Sequence, residues 1–132
     1  MFDKINKDIP TREEQTKTFG ELLDIMDDLR EKCPWDHKQT NESLRTNTIE
    51  EAYELSDALL GDDKQHICKE LGDVLLQVAF YAKIGSETGD FDMKDVCDKL
   101  CDKLIYRHPH IYGQVVADTA EKVVDNWEQL KM

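Results

Sequence analysis

Proline and glycine are scarce, at three and six among 132 residues. That is too few turn formers for a chain built of many short strands, which argues against an all-β fold. Cysteine occurs four times, at Cys33, Cys68, Cys97 and Cys101, but never as a C-x-x-C pair. The four are expected as reduced thiols, some of them buried as small apolar groups. The N-terminus lacks a cationic segment followed by an apolar run, so no signal peptide is expected. No apolar stretch approaches the length of a membrane span. These absences lead to the expectation of a cytoplasmic protein without a membrane partner. Internal repeats, low-complexity segments and a Walker-type phosphate loop are also missing, so any bound phosphate needs another cradle. Basic residues are the minority, 17 against 29 acidic ones, and the formal net charge is −12. Such a field disfavours free nucleic acid as a partner. A phosphate substrate stays possible where metal ions and a few local cations reverse the field.

What is present suits one globular domain, with 39% hydrophobic and 35% charged residues. Residues 1–10 read as a flexible arm and 11–132 as the domain. Thr11 with Glu14 fits a capping box. A helix follows to about Lys32, with Phe19, Leu22, Leu23, Met26 and Leu29 at helical spacing. Pro34 disfavours helix at Cys33 and ends it. The segment CPWDHKQT, Cys33 to Thr40, is expected as a loop. Its Trp35 either plugs the end of a bundle, the preferred reading, or stacks on a base. Further helices are expected from about Glu42 to Leu60, over about 64–84, from the N-cap Asp92 to about Tyr106, and over about Thr119 to Lys131. The segment RHPHIYG, Arg107 to Gly113, is expected as a turn, with His108 and His110 structural or hydrogen-bonding rather than zinc ligands.

The most informative stretch is EEAYELSDALLGDDKQHICKELGD, Glu50 to Asp73. Glu51 with Glu54, and Glu70 with Asp73, are carboxylate pairs three residues apart, a spacing that shares a helix face. Gly61, Asp62 and Asp63 break the pattern between them, which favours an antiparallel hairpin. Counted from Asp62, Glu54 and Glu70 should lie at one level about 12 Å from the turn, and Glu51 and Asp73 at about 16 Å. Solvent is the ordinary destination of an acidic helix face. Here Leu55 and Ala58 border the acids, opposite a stripe of Ile49, Ala52, Tyr53, Ser56, Leu59 and Leu60. The following helix, Ile67 to Ile84, is apolar on nearly all sides, so it should be central. Gly72 between its acids either permits close backbone approach or leaves room for a ligand. Converging carboxylates need cations, and oxygen ligands suit Mg²⁺, or Mn²⁺ as a substitute. Lys99, Lys103 and Arg107, four residues apart, form a basic stripe that is either solvated or holds phosphate.

LREKCPWDHKQT, SLRTNTIEEAYELSDAL, KELGDVLLQVAFYAKI, FDMKDVCDKL and DKLIYRHPHIYG follow one another in the order found in the MazG family. Together they resemble that family of nucleoside triphosphate pyrophosphohydrolases over roughly Glu14 to Lys131. CPWD and RHPH resemble the first module of two-module members. The resemblance implies an all-α antiparallel bundle, completed as a homodimer or higher even oligomer. It implies Mg²⁺-dependent cleavage of a nucleoside triphosphate to the monophosphate and pyrophosphate. It further implies that Glu51, Glu54, Glu70 and Asp73 bind metal, with Glu50 or Glu54 as base toward water. Lys103, Arg107, Trp127 and Lys131 match positions expected to contact the nucleotide. Alternatives are a pyrophosphohydrolase selective for dUTP or phosphoribosyl-ATP, and a non-catalytic dimerisation or nucleotide-sensing module that kept the metal site.

Overall fold

The computed structural model describes residues 10–114 and 116–131, and every regular element among them is an α-helix. The expected arm therefore lies outside the described residues, apart from Pro10. In chain order the helices are α1 (Arg12–Lys32), α2 (Pro34–Lys38), α3 (Asn41–Leu59), α4 (Lys64–Glu87), α5 (Met93–Arg107), α6 (Pro109–Tyr112) and α7 (Ala120–Leu130). The chain divides between Thr88 and Gly89 into two compact units.

Local chemistry sets the helix starts of the first unit. The Thr11 hydroxyl accepts from the Glu14 N–H, and the Glu14 carboxylate accepts from the Thr11 N–H, both at 3.1 Å. Thr40 and Ser43 form the same reciprocal cap on α3. Asp63 Oδ1 accepts from the N–H groups of Gln65 and His66 to start α4. The segment expected as a loop contains a short helix instead. Proline at the first helical position has a preset φ and no N–H to leave unpaired, so Pro34 begins α2 as it ends α1. Pro109 does the same for α6, inside the segment expected as a turn. Trp35 is 50% exposed, so it does not plug the bundle.

Within the first unit, α4 packs against both α3 and α1, and α1 also packs against α2. Met26 of α1, Leu44 of α3 and Phe80 of α4 form the core, flanked by Tyr81 and Ile84. The central position expected for α4 is thus present, although Leu71, Leu75, Leu76 and Val78 remain 38–51% exposed. Arg30 ties the far end together. Its Nε and Nη2 donate to the two Glu87 carboxylate oxygens at 2.7 and 3.0 Å. Its Nη1 donates to the backbone carbonyls of Asp36 and Gln39 at 2.7 and 2.9 Å. One guanidinium therefore joins α1, the end of α2 and the end of α4. This anchor accounts for α4 running to Glu87, three residues past the expected end. Gly89 then turns the chain with a φ of +73°, a conformation that favours glycine.

In the second unit, Asp92 and Asp95 form a reciprocal cap on α5. The α5 helix packs against α6 and α7. His108 Nδ1 donates to the Leu104 carbonyl at 2.6 Å, and its ring meets Trp127 edge-on at 5.3 Å. His108 thus takes the structural part expected of it.

The Arg30 fork gives the first prediction. Hydrogen bonding to Arg30 holds the Glu87 carboxyl below its ordinary value of 4.5. The folded state then binds fewer protons than the unfolded state, so this contribution is complete above the ordinary carboxylate range. It is lost as pH falls through the lowered value. Glu87→Gln should cost about 0.5–1 kcal/mol at neutral pH, allowing for solvent screening of the half-open pair. The cost should fade under acid, which denaturant melts of both proteins at several pH values will measure.

Candidate metal centre

The hairpin of α3 and α4 brings the acids together through a seam. On α3 the inward positions are Leu44, Thr48, Glu51, Leu55 and Ala58, a four-three-four-three spacing that keeps one stripe against a partner helix. On α4 the facing positions include Glu70, Asp73, Gln77, Phe80, Tyr81 and Ile84. Leu44 meets Phe80 at the base. One turn higher, the Thr48 hydroxyl donates to Gln77 Oε1 at 2.8 Å and also pairs with the Tyr81 hydroxyl. At the next layer Glu51 faces Glu70 and Asp73. Each of the three offers a carboxylate oxygen within 4.8 Å of the other two.

The expected convergence of acids from both helices is therefore found for Glu51, Glu70 and Asp73, with Glu51 near both acids of α4 rather than near Asp73 alone, and the three do not include Glu54. Thr48 to Glu51 is already a step of three, and a second such step carries residue 54 round to the edge of the seam, where it is exposed. Glu54 still acts on the cluster. Burial is the largest cause that raises the Glu51 pKa above its ordinary 4.5, followed by repulsion from Glu54, Asp73 and Glu70. Glu50 is also exposed on α3. The stripe from Ile49 to Leu60 points outward, and the packed side of α3 is the one that carries Glu51, Leu55 and Ala58. A side chain at Gly72 would meet nothing within 4 Å, so that glycine leaves space and makes no close approach.

The cluster shows unmet demand for positive charge. Glu70 is 4% exposed. Glu51 Oε2 and Glu70 Oε2 are buried and have no hydrogen-bond partner. Orphaned carboxylate oxygens are costly inside a fold. A divalent cation would satisfy both, and an all-oxygen donor set is the kind that hard cations prefer. Two residues that sequence reasoning passed over also border the cluster. Lys69 Nζ lies 3.5 Å from both Glu70 Oε1 and Asp73 Oδ2, and His66 Nε2 lies 3.4 Å from Glu70 Oε1. Attraction from Glu70, then Asp73, raises the Lys69 pKa above 10.5. Spacing could have found Lys69, four residues before Asp73.

The other candidate residues belong to the second unit. Lys103 is exposed on α5, and Arg107 ends that helix half-buried. Trp127 of α7 is half-buried against His108, and its Nε1 is buried without a partner. Lys131 follows α7, with Nζ 3.7 Å from the Glu128 carboxylate.

Fold and cluster define an all-α helical protein with a partly buried cluster of three carboxylates. Residues 39–112 match the MazG nucleotide pyrophosphohydrolase domain. The chain is 43% identical over 113 residues to "Nucleoside triphosphate pyrophosphohydrolase" of Escherichia coli, covering 83% of this chain and 43% of that protein. It is 47% identical over 115 residues to "Nucleoside triphosphate pyrophosphohydrolase/pyrophosphatase MazG" of Thermotoga maritima, covering 86% and 44%. The chain thus spans less than half the length of these relatives. The fold is also that of a solved mazG-related protein from Thermotoga maritima, with a TM-score of 0.72 and 24% identity over 85% of this chain and 97% of that one. The chain belongs to the MazG nucleotide pyrophosphohydrolase domain family.

A prediction follows from the raised Glu51 pKa. The folded state binds the Glu51 proton more tightly than the unfolded state does. Stability therefore falls as pH rises from the ordinary carboxylate range through the raised value. Glu51→Gln should melt above the wild type at neutral pH in the presence of a chelator, and the gap should close under acid. Equal melting temperatures across that pH range would contradict the burial and repulsion that raise the Glu51 pKa.

Proposed function

We propose that this chain hydrolyses nucleoside triphosphates to the monophosphate and pyrophosphate with Mg²⁺, for which Mn²⁺ can substitute. The observation that carries the proposal is the meeting of Glu51, Glu70 and Asp73 with two buried carboxylate oxygens left unpaired. Those three residues would hold the ion, with Glu54 as a further ligand from the edge of the seam. When bound there, Mg²⁺ supplies charge neutralisation for a polyphosphate and its departing pyrophosphate. In this reading Glu54, whose charge acts on Glu51, or Glu50, exposed on α3, accepts a proton from the attacking water. Water adds to the α-phosphorus, the bond from that phosphorus to the bridging oxygen breaks, and pyrophosphate leaves. Lys103, Arg107 and Lys131 steady the phosphates in this reading, and Trp127 contacts the nucleotide.

The same proposal includes a homodimer or higher even oligomer. Its support is the outward stripe of α3, where Ile49, Tyr53, Leu59 and Leu60 are 55%, 70%, 57% and 87% exposed. It also includes a cytoplasmic setting. The free thiols of Cys68, Cys97 and Cys101 are exposed and suit a reducing compartment. Among the described residues no helix is long and apolar enough to cross a membrane. The acidic charge supports a reading without nucleic acid as partner.

A nucleotide panel that includes dUTP and phosphoribosyl-ATP, assayed for pyrophosphate and monophosphate, tests the reaction. The purified chain should release both with Mg²⁺. Glu70→Gln should lower turnover by about 10²-fold or more while keeping its helical circular dichroism. Nucleotide binding without any pyrophosphate release would refute the enzymatic proposal.

Light scattering tests the assembly. The wild type should have at least twice the monomer mass, and Tyr53→Glu with Leu60→Glu should shift it toward monomer. A monomeric wild type at all working concentrations would reject the dimer.

A further inference from the structure

Among the described residues, Lys69 is the only lysine or arginine whose charge reaches the carboxylate cluster by ion pairing. Its side chain is 70% exposed, whereas that of Glu70 is 5% exposed. The side chain therefore stands in water, with its ammonium at the solvent edge of the cluster. It reaches one edge of the cluster, at Glu70 Oε1 and Asp73 Oδ2, and leaves Glu51 Oε2 and Glu70 Oε2 without a partner. Ordinary helix stabilisation is a poor account of this placement. A lysine four residues before an acid is the less favourable order for such pairs, and exposed pairs contribute little. Three acids within 4.8 Å supply the attraction instead.

We propose that Lys69 is a resident counter-ion: it holds Glu70 and Asp73 in position while the cluster lacks metal, and it swings into solvent when a divalent cation binds. This inference rests on the metal reading given under the proposed function. A divalent ion carries twice the charge and can contact all three carboxylates. The exposed lysine stem can withdraw without disturbing packed atoms. Lys69 is in this sense a positioning residue that competes with the ion it prepares for.

Two measurements must then move in opposite directions. Lys69→Met keeps most of the stem and removes the charge. In chelator, the variant should melt below the wild type, because repulsion among the acids is no longer offset. Titrated with Mg²⁺ alone, without nucleotide, it should bind more tightly by about three- to tenfold, because the competitor is gone. Lys69→Arg should restore wild-type behaviour in both measurements. Lys64→Met, the same charge change at the start of α4, controls for long-range attraction and should alter Mg²⁺ affinity by less than about twofold. Thermal shift and calorimetry on the full chain read both quantities. If the wild type binds Mg²⁺ but Lys69→Met binds no tighter, or gains no more than Lys64→Met, the counter-ion inference fails and the metal reading stands. If neither the wild type nor Lys69→Met responds to Mg²⁺, both are overturned.

Discussion

Mutual repulsion among carboxylates fixed in a packed helical seam is the constraint on which the first unit depends. Glu51, Glu70 and Asp73 occupy positions that leucines would fill in an ordinary hairpin. Each is held there by the layers around it. Below lie the Thr48, Gln77 and Tyr81 hydrogen bonds, then the contact of Leu44 with Phe80. Towards the turn, Ala58 is buried and Leu55 half-buried. The acids cannot separate without opening those layers. Their repulsion therefore remains as a demand for cations and does not relax by movement.

The opposite end of the unit resolves charge locally. Arg30 spends its planar fork on one carboxylate and two backbone carbonyls. Each acceptor there has a donor, and the ends of three elements are fixed. Asp27 and Lys83 add a second link between α1 and α4 at 3.0 Å. One end of α4 is thus matched in charge, while near its start three acids, Glu51 of α3 with Glu70 and Asp73, face the single ammonium of Lys69. A rigid, neutralised base supporting an unneutralised cluster is the arrangement that preorganised binding requires.

The elements were legible in the sequence because short-range chemistry specifies them. Thr11 with Glu14 announces α1, and Asp92 announces α5. The approach of Glu51 to the acids of α4 was legible because helical rise is fixed and the break at Gly61 is short. Rotation was harder to read. The stripe of Ile49, Tyr53 and Leu59 is more apolar than the seam of Thr48, Glu51 and Leu55, so hydrophobicity alone points the wrong face of α3 inward. Only the continuing four-three spacing marks the seam, and it also separates Glu51 from Glu54. Proline misled at α2 and α6, because it ends one helix and begins another with equal ease. Lys69 was hidden by its type, since a lysine on a charged helix ordinarily faces water. The parts assigned to Lys103, Arg107, Trp127 and Lys131 came from family resemblance. Their local setting on α5 and α7 explains how the helices hold them but does not assign a ligand.

The convergent acids all come from the single hairpin between Glu51 and Asp73, and this has a kinetic consequence. Contacts close in sequence require little loop closure, so they form on the fast side of the folding timescale. The acidic centre needs only the winding and docking of two neighbouring helices. On the proposed metal reading, ion capture would need only that hairpin to have docked. A cation bound at that stage would favour the hairpin over competing compact states, so an ion at this cluster would also act on folding.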